Sequence, residues 1–122
     1  SLVGSEMCIR DSYMEDGREA FGRQYGIGYT EIRDAGYVVP IVELNIQYKQ
    51  SLKYGESAIV ETRYIRTEAA KILFEYIIFR ESDGAVVATG SSTQVFVDSR
   101  TGELELNNPD FYQAWREKWN IG

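Results

Sequence analysis

Residues 38–56, VVPIVELNIQYKQSLKYGE, alternate apolar and polar side chains through most of their length and then run into a polar, glycine-containing turn. Val42, Leu44, Ile46 and Tyr48 share one parity, while Glu43, Asn45, Gln47 and Lys49 share the other, which is the period of a β-strand with two unlike faces. The stretch is therefore predicted to be one long, half-buried strand whose apolar face meets a core. Its polar row is either solvated or lines a ligand groove.

Strand signals continue downstream. Ala58–Arg66 (AIVETRYIR), Lys71–Arg80 (KILFEYIIFR) and Ala85–Asp98 (AVVATGSSTQVFVD) are rich in β-branched and aromatic residues. Short connections, of which Ser82-Asp83-Gly84 is the clearest turn, predict that successive strands pair antiparallel as a meander. The strand over 71–80 is apolar on nearly both faces, so it is expected to be central or covered by another subunit.

Upstream, YMEDGREAFGRQY over 13–25 places Met14, Gly17, Phe21 and Tyr25 at helical spacing, with Ser12 and Glu15 in capping-box register. Gly17 and Gly22 each cost a helix about 1 kcal/mol relative to alanine, so their presence points to close approach by a sheet or a ligand. Gly26 and Gly28 end the helix and open a loop, GIGYTEIRDAGY. After the Arg100-Thr101-Gly102 turn, Asn108 is placed to cap a short closing helix with Pro109 at its first position. Phe111, Trp115 and Trp119 then form a stripe that is expected to pack on the sheet rather than stack on a ligand. Residues 1–12, SLVGSEMCIRDS, carry no sustained period and are read as a non-native segment, leaving 13–122 as one domain.

Composition narrows the chemistry. The chain has 122 residues, 43% hydrophobic and 26% charged, with a net charge of −6. That acidity disfavours nucleic acid as a partner, and no apolar run is long enough for a membrane span. Cys8 is the lone cysteine and histidine is absent, so no internal disulfide, no histidine-based triad and no transition-metal site is expected, and a reducing, cytoplasmic setting follows. Chemistry must rest on carboxylates, amides, hydroxyls and backbone dipoles.

A helix before antiparallel strands, closed by a second helix, is an α+β layout in which the sheet covers the first helix. In that order the motifs YMEDGREAF, VELNIQYKQSLKYGES, LFEYIIFR and VATGSSTQVFVD resemble hotdog-fold acyl-CoA thioesterases of the 4-hydroxybenzoyl-CoA thioesterase-like family over residues 13–110. The resemblance implies a hotdog fold, acyl-CoA as substrate, no cofactor beyond the coenzyme A carried by that substrate, and a homodimer or dimer of dimers with sites at the subunit interface. Two departures stand out. The family's first strand and its Asp-x-x-Gly loop are missing before Tyr13, and Asp11 lies too close to the helix to take that role; Ser51-Leu52 replaces the family's Pro-Leu.

Thioester hydrolysis needs a carboxylate to activate water and dipoles to hold an oxyanion. Glu15, matching the family's helix glutamate, is the catalytic candidate, although a carboxylate on a helix surface is more often solvated, and Arg18 is placed to pair with it. Asn45 and Gln47 are candidates for substrate contact. Among the cations near strand ends, Lys53, Arg66, Lys71 and Arg80, the pair Arg66 and Lys71 is favoured for coenzyme A phosphates. A non-catalytic acyl-CoA or acyl-carrier-protein binding module is the rival function, and a cone-shaped fold of the nuclear-transport-factor type is the rival architecture.

Overall fold

The computed structural model describes residues 2–8, 13–52 and 55–121. Its elements are β1 (Val3–Cys8), α1 (Tyr13–Tyr25), α2 (Tyr29–Asp34), β2 (Tyr37–Val38), β3 (Ile41–Tyr48), β4 (Ala58–Ile65), β5 (Lys71–Arg80), β6 (Val86–Val95), β7 (Val97–Asp98) and α3 (Asp110–Lys118). The main sheet has five antiparallel strands in the order β1-β4-β5-β6-β3, and β2 pairs with β7 beside it. This is the hotdog arrangement, an antiparallel sheet with α1 on its inner face and a short C-terminal helix.

The inner face is written in the alternation of β4 and β5. Ala58, Val60, Thr62 and Tyr64 on one strand, and Ile72, Phe74, Tyr76 and Ile78 on the next, are all buried. Burial of side chains of this size contributes about 1.5–3 kcal/mol each. From α1, Tyr13, Gly17 and Phe21 recur at four-residue intervals and are buried against that face. Phe21 meets Phe74 edge to face with ring centroids 4.9 Å apart. Both expected close approaches are present: a Cβ on Gly17 would lie 2.3 Å from Thr62 Oγ1, and one on Gly22 would lie 2.7 Å from the Gly28 Cα. At the helix end, Trp115 and Trp119 of the aromatic stripe donate their indole N–H groups to the Tyr25 carbonyl, at 2.7 and 3.1 Å. The stripe therefore seals the core against the end of α1 as well as against Tyr64.

Several expectations are corrected. The first strand, read as missing, is present as β1, which pairs with β4 from Val3 opposite Arg63 to Cys8 opposite Ala58. Tyr25 holds it from α1, its hydroxyl donating to the Val3 carbonyl at 2.6 Å. Strand pairing is made by backbone groups, so a stretch without side-chain periodicity can still add to an open sheet edge. The meander holds for β4-β5-β6 only, because β3 pairs with β6 on the far side and its link to β4 crosses from one side of the sheet to the other. As a result β3 is an edge strand, and its apolar face is not buried by this chain: Val42, Leu44 and Tyr48 are 60%, 51% and 71% exposed. The loop after Gly28 contains α2, where Glu31 Oε1 accepts the Gly28 N–H at 2.7 Å. Asn108 does not cap α3. The helix starts one residue later than expected, with the Pro109 carbonyl accepting the Tyr112 and Gln113 N–H groups, each at 3.0 Å. The proposed cap at Ser12 lies outside the described residues.

Candidate functional site

Between α1, α2 and the inner face of the sheet lies a cleft of about 680 Å³. Phe21, Ile27, Ile32, Ile72, Phe74 and Trp115 give it an apolar wall, and charged residues of the two helices, Glu15, Arg18, Glu19, Arg23 and Glu31, line it as well. A cavity of this size with apolar walls and placed polar groups suits a small organic ligand. The long helix packs chiefly on β1 and β4, and the cleft opens beside it, where α2 and the residues just before β3 face Tyr64, Ile72, Phe74 and Gln94 of the sheet.

Arg18, Gln94, Tyr64 and Tyr112 bring polar groups to the cleft, and Tyr76 and Ser92 lie buried behind Arg18. Arg18, on the inner side of α1, donates through Nη1 to the Tyr76 hydroxyl at 3.2 Å, and Tyr76 is bonded to Ser92 Oγ at 2.6 Å. Gln94 donates its amide to the Val39 carbonyl at 3.0 Å. The Tyr64 and Tyr112 hydroxyls are hydrogen-bonded to one another, and Tyr112 also donates to the Lys71 carbonyl at 3.4 Å. Burial pushes the pKa of Tyr64, Tyr76 and Tyr112 upward, so each phenol keeps its proton. For Tyr112 the neighbouring Tyr64 oxygen adds to the rise.

The five residues singled out by sequence do not converge. Glu15 reaches the rim of the cleft. Asn45 and Gln47 stand on the opposite face of the sheet: Leu44 and Ile46 pair with Ser92 and Gly90, which pair in turn with inward-facing Phe74 and Tyr76, so the residues between them point outward. Arg66 sits just after β4 and Lys71 starts β5, away from the cleft lining. Arg66 is occupied by the Ile121 carbonyl at 2.8 Å and by Glu68 at 2.6 Å. Arg80 ties the β5–β6 turn to the crossing link through Asp83, Glu56 and the Ser51 carbonyl. Lys53 lies outside the described residues. Arg18 does not pair with Glu15; it turns inward to Tyr76. Of the cleft residues that sequence reading missed, Gln94 had a visible signal, a polar residue at an inward position of a mostly apolar face. Among the described residues no group of three metal-ligating side chains gathers, and no helix is long and apolar enough to cross a membrane.

The sequence profile of the thioesterase-like superfamily matches residues 11–115, which takes in α1, the whole of β2–β7 and most of α3. The chain belongs to the thioesterase-like superfamily. Within this superfamily it is 32% identical over 108 residues to the putative acyl-CoA thioesterase YneP of Bacillus subtilis (strain 168), covering 86% of this chain and 78% of that protein. The chloroplastic acyl-acyl carrier protein thioesterase ATL3 of Arabidopsis thaliana is 27% identical over 93 residues, covering 76% of this chain and 49% of the relative. In three dimensions the chain resembles the DHNA-CoA thioesterase of Staphylococcus aureus with a TM-score of 0.78, at 20% identity, over 98% of this chain and 91% of the other. At that identity the likeness speaks for the hotdog fold alone. β1 precedes the stretch that the superfamily profile matches.

Proposed function

We propose that this thioesterase-family chain hydrolyses acyl-CoA thioesters to the free acid and coenzyme A, with the cleft beside α1 receiving the acyl group and Glu15 activating water. The observation that carries this reading is a superfamily match over most of the chain, joined to an apolar cleft with an exposed carboxylate on its rim. Glu15 takes a proton from water as its oxygen attacks the thioester carbonyl. Collapse of the tetrahedral intermediate breaks the C–S bond, and the sulfur leaves as coenzyme A thiol on regaining the proton. This chemistry needs no cofactor beyond the coenzyme A of the substrate. A chain with one cysteine suits the reducing cytoplasm.

The working unit is proposed to be a homodimer or dimer of dimers. Support comes from β3, an edge strand that exposes Val42, Leu44 and Tyr48, since an uncovered apolar edge is normally paired or covered. In such a dimer Asn45 and Gln47 are candidates for contacts with substrate or partner, and Arg66 and Lys71 for coenzyme A phosphates.

Thiol release from a panel of acyl-CoAs tests the assignment. Glu15→Gln is expected to lower kcat about 10²- to 10⁴-fold, the range for removing a general base. Tight binding of acyl-CoA with no thiol release by the wild type would instead identify a binding module.

A further inference from the structure

Two cations of α1, Arg18 and Arg23, line the cleft, and Arg18 reaches the inner surface of the sheet through its hydrogen bond to Tyr76. Its partner Tyr76 is 1% exposed and Ser92 is 3% exposed. A guanidinium only donates, so the Tyr76 oxygen accepts from Arg18, and the Tyr76 and Ser92 hydroxyls share a second hydrogen bond at 2.6 Å. Burial keeps Tyr76 protonated. Tyr76 is the only hydrogen-bond partner of Arg18 among the described residues. Arg18 also lines the cleft that Phe21, Ile72 and Phe74 wall, and its fork carries more donors than the one bond to Tyr76 uses. A fixed cation in an apolar cavity favours an anion with two oxygens, because planar, paired donors match a carboxylate. Three glutamates line the cleft, Glu15, Glu19 and Glu31; all are exposed, so solvent screens them, Glu31 accepts the Gly28 N–H, and no ion pair joins any of them to Arg18 among the described residues.

We propose that Arg18, oriented by Tyr76 and Ser92, reads a carboxylate carried by the acyl group, so that the preferred substrates are acyl-CoAs with an acidic tail. Arg18 is thereby a specificity residue, and Tyr76 and Ser92 are positioning residues. The proposal rests on the thioesterase reading, and its test separates the two.

The test compares three acyl-CoAs of equal chain length on the wild type: adipoyl-CoA, hexanoyl-CoA and 6-aminohexanoyl-CoA, read by thiol release. Expected is a kcat/KM at least about tenfold higher for adipoyl-CoA than for hexanoyl-CoA, the factor of a charge-assisted hydrogen bond, with the amine-tailed substrate poorest. Arg18→Gln should collapse the adipoyl-to-hexanoyl ratio to about one, and Tyr76→Phe should reduce it through KM more than kcat. A wild-type ratio at or below one overturns the proposal while leaving the thioesterase reading intact. So does an Arg18→Gln variant that lowers both substrates equally. If no acyl-CoA is turned over, the thioesterase reading fails, and calorimetric binding of the same three ligands decides the specificity: equal affinities overturn it. The substrate comparison on the wild type needs no variant to fold.

Discussion

Replacing Gly17 by alanine sets two effects of known sign against each other at one atom. In an exposed helix the change is stabilising by about 1 kcal/mol. Here the added Cβ would sit 2.3 Å from Thr62 Oγ1 and 3.3 and 3.5 Å from the two γ-carbons of Val60. The first distance is about 1 Å inside ordinary contact, and Thr62 has little room to yield. Its β-branched side chain is stiff at χ1, and its backbone is fixed between Gly4 of β1 and Tyr76 of β5. Overpacking of this kind costs about 1–3 kcal/mol, so Gly17→Ala should be neutral to destabilising by about 2 kcal/mol. Thr62→Ala removes the obstructing oxygen, which is buried without a hydrogen-bond partner, and thereby orphans no other group. In that background Gly17→Ala should recover the helix gain of about 1 kcal/mol, giving a coupling of about 1–3 kcal/mol between the two sites. Urea unfolding followed by circular dichroism at one fixed protein concentration measures the four-member cycle, with equal m-values as the condition for comparison. A stabilising Gly17→Ala in the wild-type background, with coupling below about 0.5 kcal/mol, would refute the close packing of α1 on β4.

Tyr112→Phe should destabilise by about 1–3 kcal/mol because it leaves the buried Tyr64 hydroxyl unpaired, whereas Tyr64→Phe with Tyr112→Phe should cost less than the sum of the single changes; chemical denaturation reads both. Leu44→Lys together with Tyr48→Lys should shift sedimentation from dimer toward monomer while the far-ultraviolet spectrum is kept, and an unchanged sedimentation coefficient would exclude β3 from the subunit interface. Asp98 accepts from the Arg100 and Thr101 N–H groups at 2.8 and 3.2 Å, which holds its pKa below the usual carboxylate range. Its ionised form therefore adds stability that is present above the unfolded pKa and is lost as pH falls through the lower folded value. Thermal midpoints of wild type and Asp98→Ala should differ near neutrality and converge in acid, and a gap independent of pH would count against this.

Much of the local structure was legible before any coordinates. The helix over 13–25, the strands over 58–66 and 71–80 and the turn at 82–84 follow from periodicity and from turn residues, because each is decided by neighbours a few positions apart. The composition of 71–80 called for a strand that is either central or covered by another subunit, and β5 is the middle strand of the sheet. Gly17 and Gly22 signalled close contacts, although not with what. Glu15 was placed beside the cleft by the resemblance of its motif, whereas Arg18 was assigned to the wrong neighbour: helical spacing lists the residues within reach along one surface and says nothing of a partner across the core.

Sequence by itself determined which segments extend, which coil, and which side of each strand is apolar, since backbone sterics and side-chain period act locally. Tertiary structure decided the rest. Pairing of β3 with β6 instead of β4, addition of β1 to the opposite edge, and the seating of α1 over β1 and β4 depend on backbone groups and surfaces far apart in the chain. Those long-range choices bring Arg18, Tyr76 and Ser92 into one hydrogen-bonded row and turn Asn45 and Gln47 to the other side. Alternation along a strand separates two faces, but only the packing of the whole sheet decides which face meets a core, a cleft or a second copy of the chain.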